Sequence, residues 1–312
     1  MPWGLAMLPD GSALVSERTT HDIVHVQPDG HRATVGHITT VTTNTVEGGL
    51  LGLVASPTFA SDRTVFAYYT SAEDNRVVRF TFDGRVVGPP TPIFTGIPQG
   101  ATHDGGRLAF GPDGYLYVTT GDTQRRDRAP DPSFLGGKVL RMTRDGKPAP
   151  GNPDAGSVVY TRGHRNPQGL AFGPGGVLYE AEFGQDTLDE INRLEPGKDY
   201  GWPTVEGTAG PSRPGLTPPL LTWPTDDASP SGLAYAGGSL WLAALRGERL
   251  YRIPVLADGA VGRPSALFQG RFGRLRTVGV AKDGSLWVTT SNRDGRGQPR
   301  SGDDRIIRIP LQ

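Results

Sequence analysis

The stretch LAFGPDGYLYVTTGD, residues 108–122, contains the pattern that decides the fold. An apolar pair leads into a turn that contains Pro, Asp and Gly, and an alternating apolar run follows. Asp-Gly between two alternating runs is a strong hairpin signal, because glycine adopts a positive φ without a Cβ clash. We therefore expect two antiparallel strands that are joined at Gly114.

The same phrase recurs along the chain. Its further copies are LAMLPDGSALVSER (5–18), LAFGPGGVLYEAEFG (170–184), LAYAGGSLWLAALRG (233–247), VGVAKDGSLWVTTSN (278–292) and the degenerate LGLVASPTFASDRTVFAYYTS (51–71). A further strand-like run follows each copy: HDIVHV (21–26), RVVRFTF (76–82), KVLRMT (138–143), RLYRIPV (249–255), RIIRIPL (305–311) and the less clear DEINRLE (189–195). Six units of three or four short strands bury their faces when they are arranged radially. The sequence therefore predicts an all-β protein, a six-bladed β-propeller.

We expect one propeller domain that spans residues 1–312, with the Pro-rich segment 203–230 as a long loop between blades. Propellers usually close when one terminus adds a strand to the blade that the other terminus builds. Here the first repeat begins at residue 5 and the last ends at RIIRIPLQ. We therefore expect an N-terminal leader and the closing strand to be missing from this chain.

Composition excludes several classes of function. The chain has 32 basic and 32 acidic residues, which argues against a nucleic-acid partner. It has no cysteine, so thiol nucleophiles, disulfides and Cys–zinc sites are excluded. No apolar run is long enough to predict a membrane span.

Polar residues concentrate in two loops that precede inner strands, ATHDGGRLAF and RGHRNPQGLAF. Such loops gather over the axis of a propeller, and paired glycines permit close backbone approach. We expect one funnel to collect a set of side chains: His103, Asp122, Arg165, Asn166 and Gln168. The alternative is that these polar groups only cap the loop backbone.

Four other histidines crowd the N-terminal repeat: His21, His25, His31 and His37. His21 and His25 would share one face of a strand, and a turn separates them from the other two. We expect a solvated outer strand rather than a metal site.

Motifs along nearly the whole chain, from Trp3 to about Thr290, resemble one family. They are, in order, EGGLLGL (47–53), HDGGRLAFGPDGYLYVTTGD (103–122), GHRNPQGLAF (163–172), DEIN (189–192), DYGWP (199–203), PSGLAY (230–235) and GRLRTV (273–278). This set resembles the soluble glucose/sorbosone dehydrogenases that depend on pyrroloquinoline quinone, and in particular their aldose sugar dehydrogenase branch. The resemblance implies a six-bladed propeller that holds the quinone and Ca²⁺ in its axial funnel.

The resemblance also implies the chemistry. His103 matches the base that takes the proton from the C1 hydroxyl of an aldose, while a hydride passes from C1 to the quinone and the lactone forms. Imidazole suits this step because it titrates near neutrality. Asp122 matches the acid that orients the histidine, and Arg165 and Asn166 match groups that reach the quinone oxygens.

The remaining cofactor contacts are likewise implied by the resemblance. Arg274 and Arg276 match the pair that meets the carboxylates of the cofactor, and guanidinium forks suit that task. Gln168 and Arg246 match or lie near further cofactor ligands. Glu47 stands where some members have Gln beside the quinone, and an anion there would repel the cofactor unless it is protonated or turned away.

For Ca²⁺, the resemblance implies backbone carbonyl ligands at Gly184 and Gln185, and oxygen ligands suit this hard cation. A second, structural calcium is implied around Glu190 and Tyr200. The alternative for Glu190 is a carboxylate that caps a turn.

Three functions stay open on the sequence alone. The first is the sugar dehydrogenase, which passes electrons to an external acceptor; the others are a calcium-dependent hydrolase of lactonase type and a non-catalytic propeller that binds sugar or protein. Relatives are exported, so the resemblance implies a periplasmic or secreted protein. A monomer and a homodimer both remain possible.

Overall fold

The computed structural model describes residues 1–42, 46–208 and 213–311, which build six antiparallel sheets around one axis. Blade 1 comprises β1 (Pro2–Met7), β2 (Ala13–Glu17), β3 (Asp22–Val26) and β4 (Arg32–His37). Blade 2 comprises β5 (Leu50–Ala55), β6 (Thr64–Thr70), β7 (Asn75–Thr81) and β8 (Thr91–Ile97). Blade 3 comprises β9 (Leu108–Phe110), β10 (Leu116–Thr120), β11 (Lys138–Met142) and β12 (Val159–Arg162).

The second half of the chain continues the same order. Blade 4 comprises β13 (Pro167–Phe172), β14 (Leu178–Glu182), β15 (Leu188–Leu194) and β16 (Leu221–Pro224). Blade 5 comprises β17 (Pro230–Ala236), β18 (Ser239–Ala244), β19 (Arg249–Pro254) and β20 (Ser265–Leu267). Blade 6, within the described residues, comprises β21 (Leu275–Val280), β22 (Leu286–Thr290) and β23 (Ile306–Ile309). The predicted six-bladed β-propeller is confirmed.

Helical structure in the described residues is short. It comprises α1 (Phe59–Asp62) and two 3₁₀ turns, Arg126–Arg128 and Pro174–Gly176. Helix α1 takes the place of the Asp-Gly turn in the degenerate repeat. No helix in the described ranges has the length and apolar character needed to cross a membrane.

Two segments differ from the sequence prediction. The Pro-rich segment 203–230 is not all loop, because its end contains β16, the outer strand of blade 4. Residues 189–194 of the unclear run lie in β15, which pairs with β14 from Glu190 to Leu194.

Glycines let the inner strands approach one another around the axis. A Cβ at Gly169 of β13 would lie 2.6 Å from the Ser231 carbonyl oxygen of β17, and a Cβ at Gly232 would lie 2.6 Å from the Thr277 Cα of β21. The ring closes between the first and last blades, where the Thr277 hydroxyl donates to the Trp3 carbonyl. This tight ring holds the loops at one end of the axis in fixed relative positions.

Candidate functional site

A cavity of about 470 Å³ opens at the end of the axis where the inner strands begin. We call it the axial cavity, and the inner strands and loops around it bring in Trp3, His103, Asn166, Gln168, Phe183 and Gly184. Its charged lining consists of six arginines and two carboxylates: Arg18, Arg165, Arg246, Arg274, Arg276, Arg296, Glu47 and Asp294. This excess of positive charge favours an anionic ligand.

His103 is partly exposed at the cavity wall and pairs with the buried Asp122. The Nδ1 of His103 lies 2.7 Å from Asp122 Oδ1, and the indole N–H of Trp202 donates to Asp122 Oδ2 at 2.7 Å. The Gln124 backbone N–H also donates to Oδ1, at 2.8 Å. A carboxylate that receives these donors is fixed in place, so it holds His103 with Nε2 left for a ligand.

The backbone around His103 is held as firmly as the ring. His103 adopts φ 63° and Gly105 adopts φ 66°, and a Cβ on Gly121 would collide with the His103 carbonyl oxygen. The Asn166 side-chain carbonyl accepts the Gly105 N–H at 3.1 Å. Glycines at 105 and 121 therefore permit the close approach that places His103 beside Asp122.

Glu47 does not point a free anion into the axial cavity. Its Oε2 accepts the His103 backbone N–H at 2.9 Å, and its Oε1 pairs with Arg296 at 3.0 Å. Burial would raise the pKa of Glu47, but the His103 N–H and the charge of Arg296 outweigh it and lower the pKa. The carboxylate is turned toward these partners, and the charge of Arg296 offsets the repulsion that we expected from an anion at this position.

Two arginines at the start of β21 share one acid. Nε and NH2 of Arg274 both lie 2.9 Å from Asp294 Oδ2, and Arg276 NH2 lies 3.6 Å from the same oxygen. Arg276 also donates to the Gln168 side-chain oxygen at 3.1 Å. Burial, and then the nearby charge of Arg18, lowers the pKa of Arg276 to about 9, so it stays cationic at neutral pH.

Arg165 also lines the cavity, and its hydrogen bonding is incomplete. Its NH1 donates to the Phe183 carbonyl at 3.3 Å, and its guanidinium lies 5.6 Å from the Trp202 ring centroid. Its Nε is buried, and no described residue bonds it; the same holds for Arg18 Nε. Buried donors without a partner are expected where a ligand completes the bonding.

Arg246 differs from the other predicted contacts. It lies at the exposed rim of the cavity, with 59% of its side chain accessible, and it pairs with Asp226 at 2.6 Å. Arg246 therefore belongs to the cavity lining, but its charge is paired with the exposed Asp226.

Arg107 fills the axis below the cavity. Its Nε donates to the Gln168 carbonyl at 2.7 Å, its NH2 donates to the Thr277 hydroxyl at 3.2 Å, and its guanidinium stacks 4.4 Å from the Trp3 ring centroid. These contacts join blades 1, 3, 4 and 6 under the site.

The loop after β14 contains the predicted calcium carbonyls. Four successive backbone N–H groups, from Gln185 to Leu188, converge on Glu206 Oε1 at 2.8–3.1 Å. Within the described residues, no hydrogen bond engages the carbonyl oxygens of Gly184 and Gln185. Gly184 lines the axial cavity, whereas Gln185 does not. Carbonyl oxygens held in this way suit a hard cation.

Glu190 and Tyr200 are both buried but engage different partners. Glu190 bonds the Gly207 N–H and the Asn192 side-chain amide. The Tyr200 hydroxyl donates to the Arg193 carbonyl at 2.6 Å and accepts the Glu195 N–H at 2.9 Å. No hydrogen bond joins these two described side chains, so the structure does not bring them together through their polar atoms.

The N-terminal histidines are not all solvated. His21 is buried, precedes β3 and adopts φ 63°, while His25 bonds the Ser12 hydroxyl at 2.8 Å and His37 pairs with Asp22 at 3.0 Å. The prediction of a fully solvated strand is therefore wrong for His21, whose ring packs 6.0 Å from that of His37.

Sequence reasoning missed several residues of the site: Arg18, Trp202, Glu206, Asp294 and Arg296. Each lies in a turn or loop, where no periodicity marks a position. Trp202 was part of the quoted DYGWP motif, so that motif carried the one available signal for the second partner of Asp122.

Comparison with known proteins identifies the family of this chain. The sequence model of the family described as Glucose / Sorbosone dehydrogenase matches residues 1–307. The chain belongs to this family.

Individual relatives share most of the chain. The PQQ-bound structure of an aldose sugar dehydrogenase from Streptomyces coelicolor is 51% identical, with a TM-score of 0.94 over 99% of this chain and 93% of that one. Aldose sugar dehydrogenase YliI of Escherichia coli (strain K12) is 29% identical over 94% of this chain and 88% of its own length. Quinoprotein glucose dehydrogenase B of Acinetobacter calcoaceticus is 33% identical over 66% of this chain and 51% of its own length.

Proposed function

We propose that this member of the glucose/sorbosone dehydrogenase family is an aldose sugar dehydrogenase that uses pyrroloquinoline quinone and Ca²⁺. It oxidises the C1 hydroxyl of an aldose to the lactone and passes the electrons to an external acceptor, outside the cytoplasm. The observation that carries the proposal is the His103–Asp122 pair, 2.7 Å apart, in the wall of an arginine-rich cavity.

The donors around the cavity fit the cofactor. The quinone carries three carboxylates, and Arg18, Arg274 and Arg276 present buried guanidinium groups to such anions. Arg165, with its unpartnered Nε, and Asn166 would meet the quinone oxygens. The carbonyls of Gly184 and Gln185 would hold Ca²⁺. When bound, the quinone supplies the electrophilic carbonyl carbon that accepts a hydride.

The residues of this chain perform the proton transfer. His103 Nε2 accepts the proton of the C1 hydroxyl, because Nδ1 is directed to Asp122. The Asp122 carboxylate then stabilises the imidazolium, and Trp202 and Gln124 keep that carboxylate from rotating. Arg165 places fixed positive charge at the cavity wall, where negative charge develops.

The lactonase alternative fits the cavity less well. Such a hydrolase would centre its metal on carboxylate and Asn side chains. Here both lining carboxylates are bonded to arginine, Glu47 to Arg296 and Asp294 to Arg274. They are therefore poorly placed to act as free metal ligands.

A titration tests the proposal. Purified protein is titrated with the quinone and Ca²⁺, and an aldose and a redox dye are then added. We expect dye reduction that saturates near one quinone per chain. Quinone binding without turnover of any aldose would refute the activity, and failure to bind the quinone would refute the cofactor assignment.

A pair of variants tests the base. His103→Gln should abolish turnover and leave quinone affinity within a few-fold of the parent. His25→Gln, on β3 of blade 1 and outside the cavity lining, is the matched control and should keep full activity. Loss of quinone binding in His103→Gln would contradict its assignment as a base.

A further inference from the structure

Blade 4 carries a carboxylate where the other blades carry apolar residues. Glu180 of β14 pairs across the sheet with Leu170 of the inner strand. The residues at the same register in the other five blades are Val15, Ala67, Val118, Leu242 and Val288. All six side chains are buried. The propeller fold itself therefore does not require an acid at this position.

The next strand repeats this departure. Asn192 of β15 pairs with Glu180, whereas the corresponding partners in the other blades are Val24, Val78, Leu140, Tyr251 and Ile307. Asn192 is fully buried. Two adjacent strands of blade 4 thus carry polar side chains at an interior position where the other blades carry apolar ones.

A histidine and two glutamates meet there. Ligand atoms of His164, Glu180 and Glu182 all lie within 4.8 Å of one another, and His164 Nδ1 is 3.5 Å from Glu182 Oε1. The exposed fractions of the three residues are 0%, 0% and 3%. A solvated acidic face is therefore excluded.

Several polar atoms of this group form no hydrogen bond with the described residues: Glu180 Oε1, His164 Nδ1 and Asn192 Oδ1. The other ring nitrogen of His164 bonds the Thr161 hydroxyl at 2.9 Å, so Nδ1 is the one left over. Buried polar atoms without a hydrogen bond are costly. Three independent atoms in this state at one place indicate a ligand.

The charge at this place is also unbalanced. Glu180, Glu182 and nearby Glu190 share one side-chain donor, the Asn192 amide, at 3.0–3.4 Å. No lysine or arginine in the described residues forms an ion pair with any of the three. Buried carboxylates need a counter-charge or a proton.

We propose that His164 Nδ1, Glu180 and Glu182, with the Asn192 side-chain oxygen, bind one divalent transition-metal ion of the Mn²⁺ or Zn²⁺ class. Mixed imidazole and carboxylate donors suit these ions, whereas Ca²⁺ takes oxygen ligands. The ion supplies the missing counter-charge and engages the unpartnered atoms together.

This site supports the axial cavity from behind. Glu182 Oε2 accepts the Arg165 backbone N–H at 2.9 Å, so a metal that fixes Glu182 also fixes the segment that carries Arg165. The ion is a structural element of blade 4 and does not depend on the quinone.

The test uses the full chain without quinone. Protein stripped with a chelator is dialysed against Mn²⁺, Zn²⁺ or Ca²⁺ separately, and bound metal is measured by mass spectrometry. We expect about one equivalent of Mn²⁺ or Zn²⁺ and a rise in Tm of roughly 5 °C when the metal is present. Glu180→Val, which restores the residue type of the other blades, should lose this equivalent.

Asp104→Asn is the matched control, because Asp104 is also a buried acid with an unpartnered oxygen but lies outside the group. It should keep the metal. If Glu180→Val does not fold, electron paramagnetic resonance of Mn²⁺ in the parent protein decides, since a bound imidazole gives nitrogen coupling. The proposal is overturned by absence of stoichiometric Mn²⁺ or Zn²⁺, by Ca²⁺ as the one ion that binds, by retention of metal in Glu180→Val, or by Mn²⁺ bound without nitrogen.

Discussion

Replacing Asp122 by Asn tests how the carboxylate controls His103. In the parent protein both carboxylate oxygens accept hydrogen bonds: Oδ1 from His103 Nδ1 and the Gln124 N–H, and Oδ2 from the Trp202 N–H. An amide has one acceptor and one NH₂ group, so it cannot satisfy donors on both sides.

Each orientation of the amide has its own cost. With the oxygen toward His103, the NH₂ group faces the Trp202 N–H, and two buried donors lose their partner at about 1–3 kcal/mol. With the NH₂ group toward His103, it donates to Nδ1 and the ring proton moves to Nε2, where it blocks proton acceptance. We therefore expect kcat to fall by about 10²–10⁴.

The assay is stopped-flow reduction of the quinone-loaded protein by an aldose in a single turnover, over a range of pH. Trp202→Phe is the control, because it removes one donor to Oδ2 but keeps a ring beneath Arg165. We expect the single-turnover rate of that variant to fall less than tenfold. An Asp122→Asn rate within threefold of the parent, with an unchanged pH profile, would refute the orienting role.

Three further predictions follow from the geometry. Arg274→Lys removes the fork that reaches Asp294 and should weaken quinone binding about 10–100-fold, as measured by fluorescence titration. Gly121→Ala forces a Cβ against the His103 carbonyl and should lower both kcat and the free energy of unfolding, the latter by about 1–3 kcal/mol in urea denaturation. Burial raises the pKa of Asp104 from 3.8 to about 6, so the folded protein binds more protons than the unfolded chain and loses stability as pH rises through that window. Asp104→Asn should lack this loss. The free energy of unfolding of the variant, relative to that of the parent, should therefore rise by at most about 3 kcal/mol between pH 4 and 6. A difference in the free energy of unfolding that stays constant across that range would contradict the assignment.

The blades could be predicted because their signal is local. Each Asp-Gly turn sits between alternating runs, and in the structure Asp10, Asp113 and Asp283 accept the backbone N–H two residues later. Such turns fix the hairpin register within a few residues. The ring then follows, because the exposed faces of neighbouring hairpins must be covered.

Two strands of blade 4 were harder to predict for physical reasons. Strand β15 carries Asp189, Glu190 and Asn192, which are buried polar residues that hide the apolar alternation. Strand β16 is four residues long and lies at the end of a Pro-rich segment. No local sequence pattern predicts its pairing with β15, because the two strands are far apart in the sequence.

Only the site residues that lie in recognisable sequence motifs could be predicted. The loops of His103 and Arg165 precede inner strands, so their convergence followed from the fold. The partners that set their chemistry come from distant loops, as Arg296 and Glu47 show with their 3.0 Å pair. A sequence cannot show that Glu47 bonds His103 and Arg296 instead of facing a bound ligand, because that depends on the conformation of three loops at once.

The charge of the axial cavity gives the strongest physical constraint on its ligand. Burial lowers the pKa of both Arg18 and Arg276, and a neighbouring guanidinium adds to the effect in each case: Arg296 at Arg18, and Arg18 at Arg276. Asp294 offsets part of this charge through Arg274 and Arg276, and Glu47 is already engaged by Arg296. A neutral sugar alone would leave the remaining positive charge buried and uncompensated. The cavity therefore favours an anionic ligand, and the tricarboxylate cofactor that we propose would supply this negative charge.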